Sequence, residues 1–216
     1  MTGVTFVLYW IYFAFLVLNV FLYSVQLLRR NSGWLRIITL FLWLMLLIEI
    51  GSEAVRLLFN FNVPLFHIYA YSQSAILGLF YLRICHNSTQ RKFIRWYILF
   101  MTLTLALVYA LNPGAFMRFN LWEVVITNYL LVVASLFYLY NIISGTRSFL
   151  YIALGVLVCA ALEILVFLFA DFLVTLQKED MMIIWLLHEL GILFLHGMIT
   201  VQWFDFFVYK RKNKDE

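Results

Sequence analysis

Seven long runs of hydrophobic residues fill the chain, and short polar breaks separate them. The runs cover residues 4–28, 35–59, 64–85, 94–112, 119–142, 149–172 and 181–209. Each approaches the ~20 residues that a helix needs to cross about 30 Å of hydrocarbon. Because helices satisfy their own backbone hydrogen bonds in a bilayer, the pattern predicts an all-α, polytopic membrane protein. We expect one seven-transmembrane-helix bundle that forms a single domain over residues 1–216.

The composition is typical of a membrane protein and excludes an ordinary soluble domain. Of the 216 residues, 65% are hydrophobic and only 12% are charged, whereas soluble domains contain about 25% charged residues. Two prolines and nine glycines leave little material for long loops. Cys85 lies near the end of one hydrophobic run and Cys159 in the middle of another, so we expect no disulfide between them.

Lysine and arginine are distributed unequally between the two sides of the predicted bundle. The first, third and fifth breaks and the C-terminal tail hold twelve of them, and the other side holds three, namely Arg56, Arg118 and Lys178. Cytoplasmic segments carry the excess of basic residues, so the N-terminus is expected outside and the C-terminus inside, in a bacterial inner membrane. The first run has no basic residues before it, which indicates a retained helix and not a cleaved signal peptide.

The tail "KRKNKDE" (residues 210–216) is too short to form a catalytic or nucleic-acid-binding domain. Its basic residues are expected to anchor the topology and to contact anionic lipid headgroups. The bilayer is therefore a predicted partner, and nucleic acid is not.

Ionisable side chains recur inside the runs, mostly in the half predicted to lie outside. Such a residue costs at least ~2.5 kcal/mol at the centre of a lipid-facing helix, so each is expected to face the bundle interior with a partner. Glu53 and Arg56 share a helix face with Glu49. We expect Glu53 and Arg56 to be buried and to pair either with each other or with His67. His67 begins an inward face of the third run, with Gln73 turned away.

The seventh run contains the stretch "WLLHELGILFLHG", with two histidines and a glutamate. Helical spacing puts Glu189 and His196 on one inward face with Thr200, and His188 beside it. The two histidines are roughly 12 Å apart along the axis, so they cannot ligate one metal ion together. The fourth run has few polar residues and is expected at the rim, outside the site. Polar residues of the first run are expected to bond neighbouring helices.

Together these residues predict a polar, carboxylate-rich ligand-binding pocket in the outer half of the bundle. Because its carboxylates outnumber its basic groups, some must be protonated or balanced by a cationic ligand. The predicted pocket residues are Glu49, Glu53, Arg56, His67, Glu123, Glu163, His188, Glu189 and His196.

Three functions are compatible with such a pocket. The first is a receptor or sensor that binds a small polar or cationic ligand and passes a shift to a signalling partner. The second is a proton- or cation-coupled transporter, although no internal repeat or mid-helix proline signals broken helices. The third, least favoured, is an intramembrane hydrolase with zinc on His67, His188 and a glutamate. The first two need no cofactor.

Three segments carry a resemblance to a known group of proteins: "NVPLFHIYAYSQSAILGLFYLRI", "SFLYIALGVLVCAALEI" and "HELGILFLHGMITVQWF". They resemble small bacterial seven-helix proteins of unknown function encoded beside sensor histidine kinases, and the membrane halves of some such kinases. The resemblance implies a signalling partner such as a histidine kinase. In that group an acidic residue commonly stands near the position of Gln73. Because this chain has glutamine there, the resemblance implies no role for the third helix.

Overall fold

Seven α-helices make up most of the computed structural model, which describes residues 3–30, 32–59, 61–143, 148–172 and 178–209. The described residues contain no strand, so the predicted all-α class is confirmed. A 3-10 helix, Pro113–Met117, joins α4 to α5, and a π-helical segment, Asp205–Tyr209, continues α7. The α-helices are α1 Gly3–Arg29, α2 Gly33–Phe59, α3 Val63–Ile84, α4 Ser88–Leu111, α5 Leu121–Ile142, α6 Leu150–Phe172 and α7 Lys178–Phe204.

Helix α4 differs most from its predicted bounds, because it begins at Ser88 and not at residue 94. The Asn87 side chain accepts hydrogen bonds from the backbone N–H groups of Thr89, at 2.9 Å, and Gln90, at 3.4 Å. An asparagine in this position satisfies amides that have no partner inside the helix. The helix therefore extends through the basic residues 91–95. Hydropathy marks the part of a helix that lies in lipid, whereas the cap marks where the helix begins.

Six of the helices are long and apolar enough to cross a membrane, namely α1, α2, α4, α5, α6 and α7. Helix α3 is outside this set, although its 22 residues span roughly 33 Å. Its lower hydropathy has a structural reason. His67, Gln73 and Ser74 of α3 are all buried, so neighbouring helices shield these polar groups from the surroundings of the bundle.

Six of the seven helices form a closed ring, and α4 lies outside this ring. Neighbours around the ring are α1, α2, α3, α5, α6 and α7, and α7 returns to α1. Helix α4 packs against the outer side of α3 and α5, and its buried residues are Ile94, Met101 and Leu105. The predicted position of α4 at the rim is therefore confirmed, but the expectation that it lies outside the site is wrong, because several of its side chains line the candidate site described below.

The helices run up and down, so residues from several chain segments meet at each end. At one end Phe149, which precedes α6, packs on Trp34 of α2 and on Phe206 after α7, with ring centroids 5.1 Å apart in both pairs. We call this the basic end, because the described basic residues 29, 30, 36, 83, 91, 92 and 95 lie there. The opposite end, which holds most of the acidic residues, is the acidic end. Arg147 and the predicted tail anchor, residues 210–216, lie outside the described residues.

Two glycines let helices α6 and α7 pack closely against each other. A Cβ atom built on Gly155 would lie 2.9 Å from Met198 Cβ and 3.3 Å from the backbone Cα of Leu195. One on Gly191 would lie 3.3 Å from Leu162 Cδ1. Small residues let membrane helices approach so that their backbones nearly touch, and this contact closes the ring between α6 and α1.

Candidate functional site

The most completely buried charged contact in the described chain joins His67 of α3 to Glu123 of α5. Their side chains are 2% and 1% exposed, and the His67 Nδ1 atom contacts the Glu123 carboxylate. Tyr109 of α4 completes the group, because its hydroxyl donates to Glu123 Oε2 at 2.6 Å and lies 3.0 Å from His67 Nδ1. Three helices thus place one basic, one acidic and one hydroxyl group together near the acidic end.

Both ring nitrogens of His67 face oxygen atoms that accept hydrogen bonds. Nδ1 meets the Glu123 carboxylate, and Nε2 lies 3.1 Å from the backbone carbonyl oxygen of Arg118. A neutral imidazole has only one N–H group. The two acceptors are both satisfied when the ring carries two hydrogens and a positive charge, which the Glu123 carboxylate balances. The arrangement is therefore a buried histidine–carboxyl pair with a defined orientation, which is charged when the ring is protonated, and we refer to it as the ion pair.

The turn between α4 and α5 holds this pair in place. Pro113 starts the 3-10 helix, which returns the chain so that the Phe116 ring stacks on the His67 imidazole with centroids 5.2 Å apart. Asn120 then caps α5 by accepting a hydrogen bond from the backbone N–H of Glu123 at 3.4 Å. The cap fixes where α5 begins and directs Glu123 towards α3.

A cavity of about 270 Å³ lies beside the ion pair, between α3 and α4. His67, Glu123 and Tyr109 line its polar end. Farther along the two helices, the hydroxyls of Tyr71 and Thr102 lie 3.0 Å apart and also line it. Apolar walls come from Ile68, Leu105, Ala106 and Phe116. A cavity with apolar walls and a few converging polar groups is the usual form of a small-molecule site.

Glu163 of α6 occupies a second buried position, inside the ring. The residue is 4% exposed, and its carboxyl is surrounded by neutral donors. Gln73 Nε2 lies 3.3 Å and 3.4 Å from its two oxygens, Tyr69 Oη 3.4 Å and Cys159 Sγ 3.5 Å from Oε1. The prediction that Gln73 turns away from the polar interior is wrong, because α3 is buried on both sides. Cys85 and Cys159 are both buried and free, as expected.

Glu49 and Glu189 form a third polar group, where α1, α2 and α7 meet. Both residues are half-buried, and their carboxyls are close enough for mutual electrostatic repulsion. The Tyr12 hydroxyl donates to Glu49 Oε2 at 3.3 Å. The predicted role of Tyr12 in bonding α1 to a neighbouring helix is thereby confirmed. This group lies on the opposite side of the ring from α4 and its cavity.

His196 and Thr200 face the interior, as the spacing of the seventh run predicts. His196 is 2% exposed, and its ring lies 5.3 Å from the Tyr12 ring. Its backbone carbonyl oxygen accepts hydrogen bonds from Asn19 Nδ2 and Thr200 Oγ1, each at 2.9 Å. Thr200 Oγ1 is also 2.9 Å from Asn19 Oδ1. These contacts bond α7 to α1, whereas the His196 Nδ1 atom has no hydrogen-bond partner in the described residues.

His188 lies among aromatic rings and belongs to none of these groups. Its ring centroid is 5.4 Å from Phe167 and 6.0 Å from Trp185. Within the described residues, no three His, Cys, Asp or Glu side chains are placed so that they could hold a metal ion. Among the described residues, His67 and His188 belong to no group of this kind.

Glu53 and Arg56 pair with each other, which was one of the two predicted pairings. The prediction that this pair is buried is wrong. Arg56 Nη2 lies 2.6 Å from Glu53 Oε2, with the two side chains 53% and 39% exposed. The pair sits in the last turns of α2. It lies apart from His67, whose partner is Glu123.

Removal of the Glu53 carboxylate is accordingly expected to have a small effect. Glu53→Ala should lower the free energy of unfolding by no more than about 1 kcal/mol, because exposed ion pairs contribute little. Thermal unfolding in detergent measures this, with Glu123→Gln as the buried comparison. A larger loss for Glu53→Ala than for Glu123→Gln would contradict the placement of the two pairs.

The nine predicted pocket residues thus divide among separate places. His67 and Glu123 meet at the cavity, Glu49 and Glu189 lie near α1, and Glu163 lies inside the ring among neutral donors. Sequence reasoning does not identify Tyr109, because the few polar residues of the fourth run place that run outside the predicted site. A signal was present: α3 begins and α4 ends at the same end of the bundle, which puts Tyr109 at the level of His67.

Comparison of the chain with known proteins identified no similar protein. No protein-family model, no curated protein and no solved structure matches this chain. The candidate site is therefore interpreted from its own geometry.

Proposed function

We propose that the chain is a seven-helix membrane receptor or sensor of a bacterial inner membrane. Its N-terminus lies outside and its C-terminus in the cytoplasm, so that the acidic end faces outward. The ligand is small and polar or cationic, and it binds in the cavity beside His67, Glu123 and Tyr109. The observation that carries the proposal is the conjunction of a buried ion pair with a 270 Å³ cavity open beside it.

The groups around the cavity suit a polar ligand. A ligand that donates a hydrogen bond can use the Glu123 carboxylate, and a cation gains in addition from the aromatic faces of Tyr109 and Phe116. The hydroxyls of Tyr71 and Thr102 offer further hydrogen bonds. Because the turn before α5 holds His67 and Glu123 in place, little ordering of these two groups is needed when a ligand binds.

Helix α4 is the element that carries a signal in this proposal. The cavity lies between α3 and α4, and α4 packs on the ring through few buried residues. Lightly packed helices can slide or tilt at small cost, which is a common form of switching. Tyr109 lies near the last residue of α4, and the helix begins at Ser88, beside the proposed cytoplasmic surface. A ligand that separates Tyr109 from the ion pair would therefore shift α4 at that surface. A signalling partner such as a histidine kinase, as implied by the resemblance above, would contact that surface.

The topology is testable by itself. Reporter fusions after Ser88 and after Gly145 should both read cytoplasmic, and a fusion after Gly114 should read external. The reason is that breaks rich in Lys and Arg remain inside. A reversed reading at any one site would refute seven crossings with this orientation.

Ligand binding is tested with paired probes on the purified protein. A small cation and an uncharged molecule of the same size, such as n-butylammonium and butyramide, are added during thermal unfolding in detergent. We expect a cavity ligand to raise the unfolding midpoint of the wild type and of Glu53→Gln, since Glu53 lies outside the cavity. Tyr109→Phe and Glu123→Gln should lose that rise. A rise that persists in both of these variants would place the ligand elsewhere.

A proton- or cation-coupled transporter is the second candidate, and Glu163 favours it. This carboxyl is buried inside the ring among neutral donors, and the Gln73 Oε1 atom beside it has no partner in the described residues. Intramembrane carboxyls of this kind commonly carry protons or cations. Proton or sodium flux into proteoliposomes that is lost in Glu163→Gln and retained in Glu53→Gln would replace the receptor proposal with this one.

A further inference from the structure

A second cavity of about 270 Å³ lies at the basic end, far from the ion pair. Residues from the start of α2, the end of α3, the end of α5 and the turn before α6 line it. Trp34 and Phe149 form its apolar part, and Arg83, His86, Tyr138 and Asn141 contribute its polar groups. None of the residues that line it is acidic.

Arg83 has a guanidinium group with no partner in the described residues. It makes no ion pair or hydrogen bond there and rests against the backbone of Gly33, where a Cβ atom would lie 3.0 Å from Arg83 Nε. Because Gly33 has no side chain, the Arg83 guanidinium can pack directly against its backbone. A guanidinium has five N–H donors in a rigid fork, and here they are available to a ligand.

The other polar groups of the cavity also favour an acceptor as ligand. The Tyr138 oxygen accepts a hydrogen bond from the Phe149 backbone N–H at 3.0 Å, which leaves its own O–H free to donate. Asn141 is fixed by Gln90, because Asn141 Nδ2 donates to Gln90 Oε1 at 2.7 Å. Around the cavity, the described basic end carries seven Lys and Arg residues and one acidic residue, Asp205.

We propose that this cavity binds a phosphate group. Arginine recognises phosphate with two parallel hydrogen bonds, which a tetrahedral oxyanion fits. The volume is near the small end of the range for ligand pockets, roughly 300–1,000 Å³, and suits a phosphate with a short organic attachment. Such a group is carried by an acidic phospholipid headgroup or by a soluble phosphate. Trp34 lies in the first turn of α2, and tryptophan commonly sits where a helix reaches the membrane surface.

The test measures thermal unfolding of the full chain in a neutral detergent. One arm adds inorganic phosphate, with sodium chloride at equal ionic strength to account for screening. The other arm adds phosphatidic acid to the micelles, with phosphatidylcholine as the neutral lipid. Arg83→Gln is compared with Arg95→Gln, which removes the same charge from an exposed position on α4 outside the cavity.

We expect Arg83→Gln to weaken phosphate binding at least about tenfold and Arg95→Gln less than about twofold. The reason is that only Arg83 would donate charged hydrogen bonds to the bound phosphate. An effect of Arg83→Gln in the lipid arm alone identifies a headgroup, and an effect in the phosphate arm alone identifies a soluble ligand. Gly33→Leu, which fills the place of the guanidinium without a change in charge, should also weaken binding. Equal losses in Arg83→Gln and Arg95→Gln, or no binding in either arm, would overturn the proposal.

Discussion

Glu123→Ala is expected to destabilise the protein by about 3–5 kcal/mol, the usual cost of leaving one partner of a buried ion pair without the other. His67 would then lose its carboxyl partner at a site that is 2% exposed, and the Tyr109 hydroxyl would lose its acceptor at 2.6 Å. Chemical unfolding in detergent micelles gives the change in free energy. It should exceed the loss for Glu53→Ala several-fold.

A double-mutant cycle separates the ion pair from simple loss of packing. If His67 and Glu123 depend on each other, the variant His67→Gln with Glu123→Gln should be destabilised by clearly less than the sum of the two single variants. The double variant replaces two charges with two amides that can bond to each other. Additive losses would show that the two side chains contribute independently, and the ion pair would then be no basis for the site.

The helices themselves could be predicted from the sequence because the bilayer permits few alternatives. A hydrophobic run of about 20 residues must satisfy its backbone internally, so the runs and the helices agree apart from their ends. Helix α3 shows where hydropathy alone falls short. Its polar side chains lower its apolar character, yet they are tolerated because the ring and α4 cover both of its sides.

Neighbour relations could not be predicted from single-helix faces. The short turn between α2 and α3 suggested that His67 would be level with Glu53, and those two helices are indeed adjacent. The partner of His67 nevertheless lies on α5, because α4 is displaced outward and α5 takes its place beside α3. A helical face shows that a residue points inward, but several helices compete for the space it points into.

The surplus of carboxylates likewise predicts one pocket, because these residues lie at similar depths in their helices. In the structure the ring separates them into groups around different helix pairs. Glu189 thus lies near Glu49 next to α1, and the stretch "WLLHELGILFLHG" contacts two neighbouring helices, α1 through the His196 carbonyl oxygen and α6 through Gly191. Depth in the membrane follows from sequence, whereas position around the bundle axis depends on packing.

Gly155→Ala is expected to destabilise the bundle by about 1–3 kcal/mol, although alanine is the better helix former. The new Cβ would lie 2.9 Å from Met198 Cβ and 3.3 Å from the Leu195 Cα. Neither is the end of a flexible side chain, so the helices must separate, and overpacking of this kind usually costs that amount. Gly155→Val should cost more, since it adds two methyl groups at the same contact. Thermal and chemical unfolding in detergent measure both.

Gly197→Ala is the matched control, because it introduces the same group into the same helix pair. A Cβ at Gly197 meets no atom within 4 Å, so only the intrinsic gain of about 1 kcal/mol from replacing a helical glycine remains. The two variants should therefore shift the unfolding midpoint in opposite directions. If both raise it, α6 and α7 can move apart without loss. The Gly155 contact would then not be what closes the ring and sets the positions of Glu163 and His196 within it.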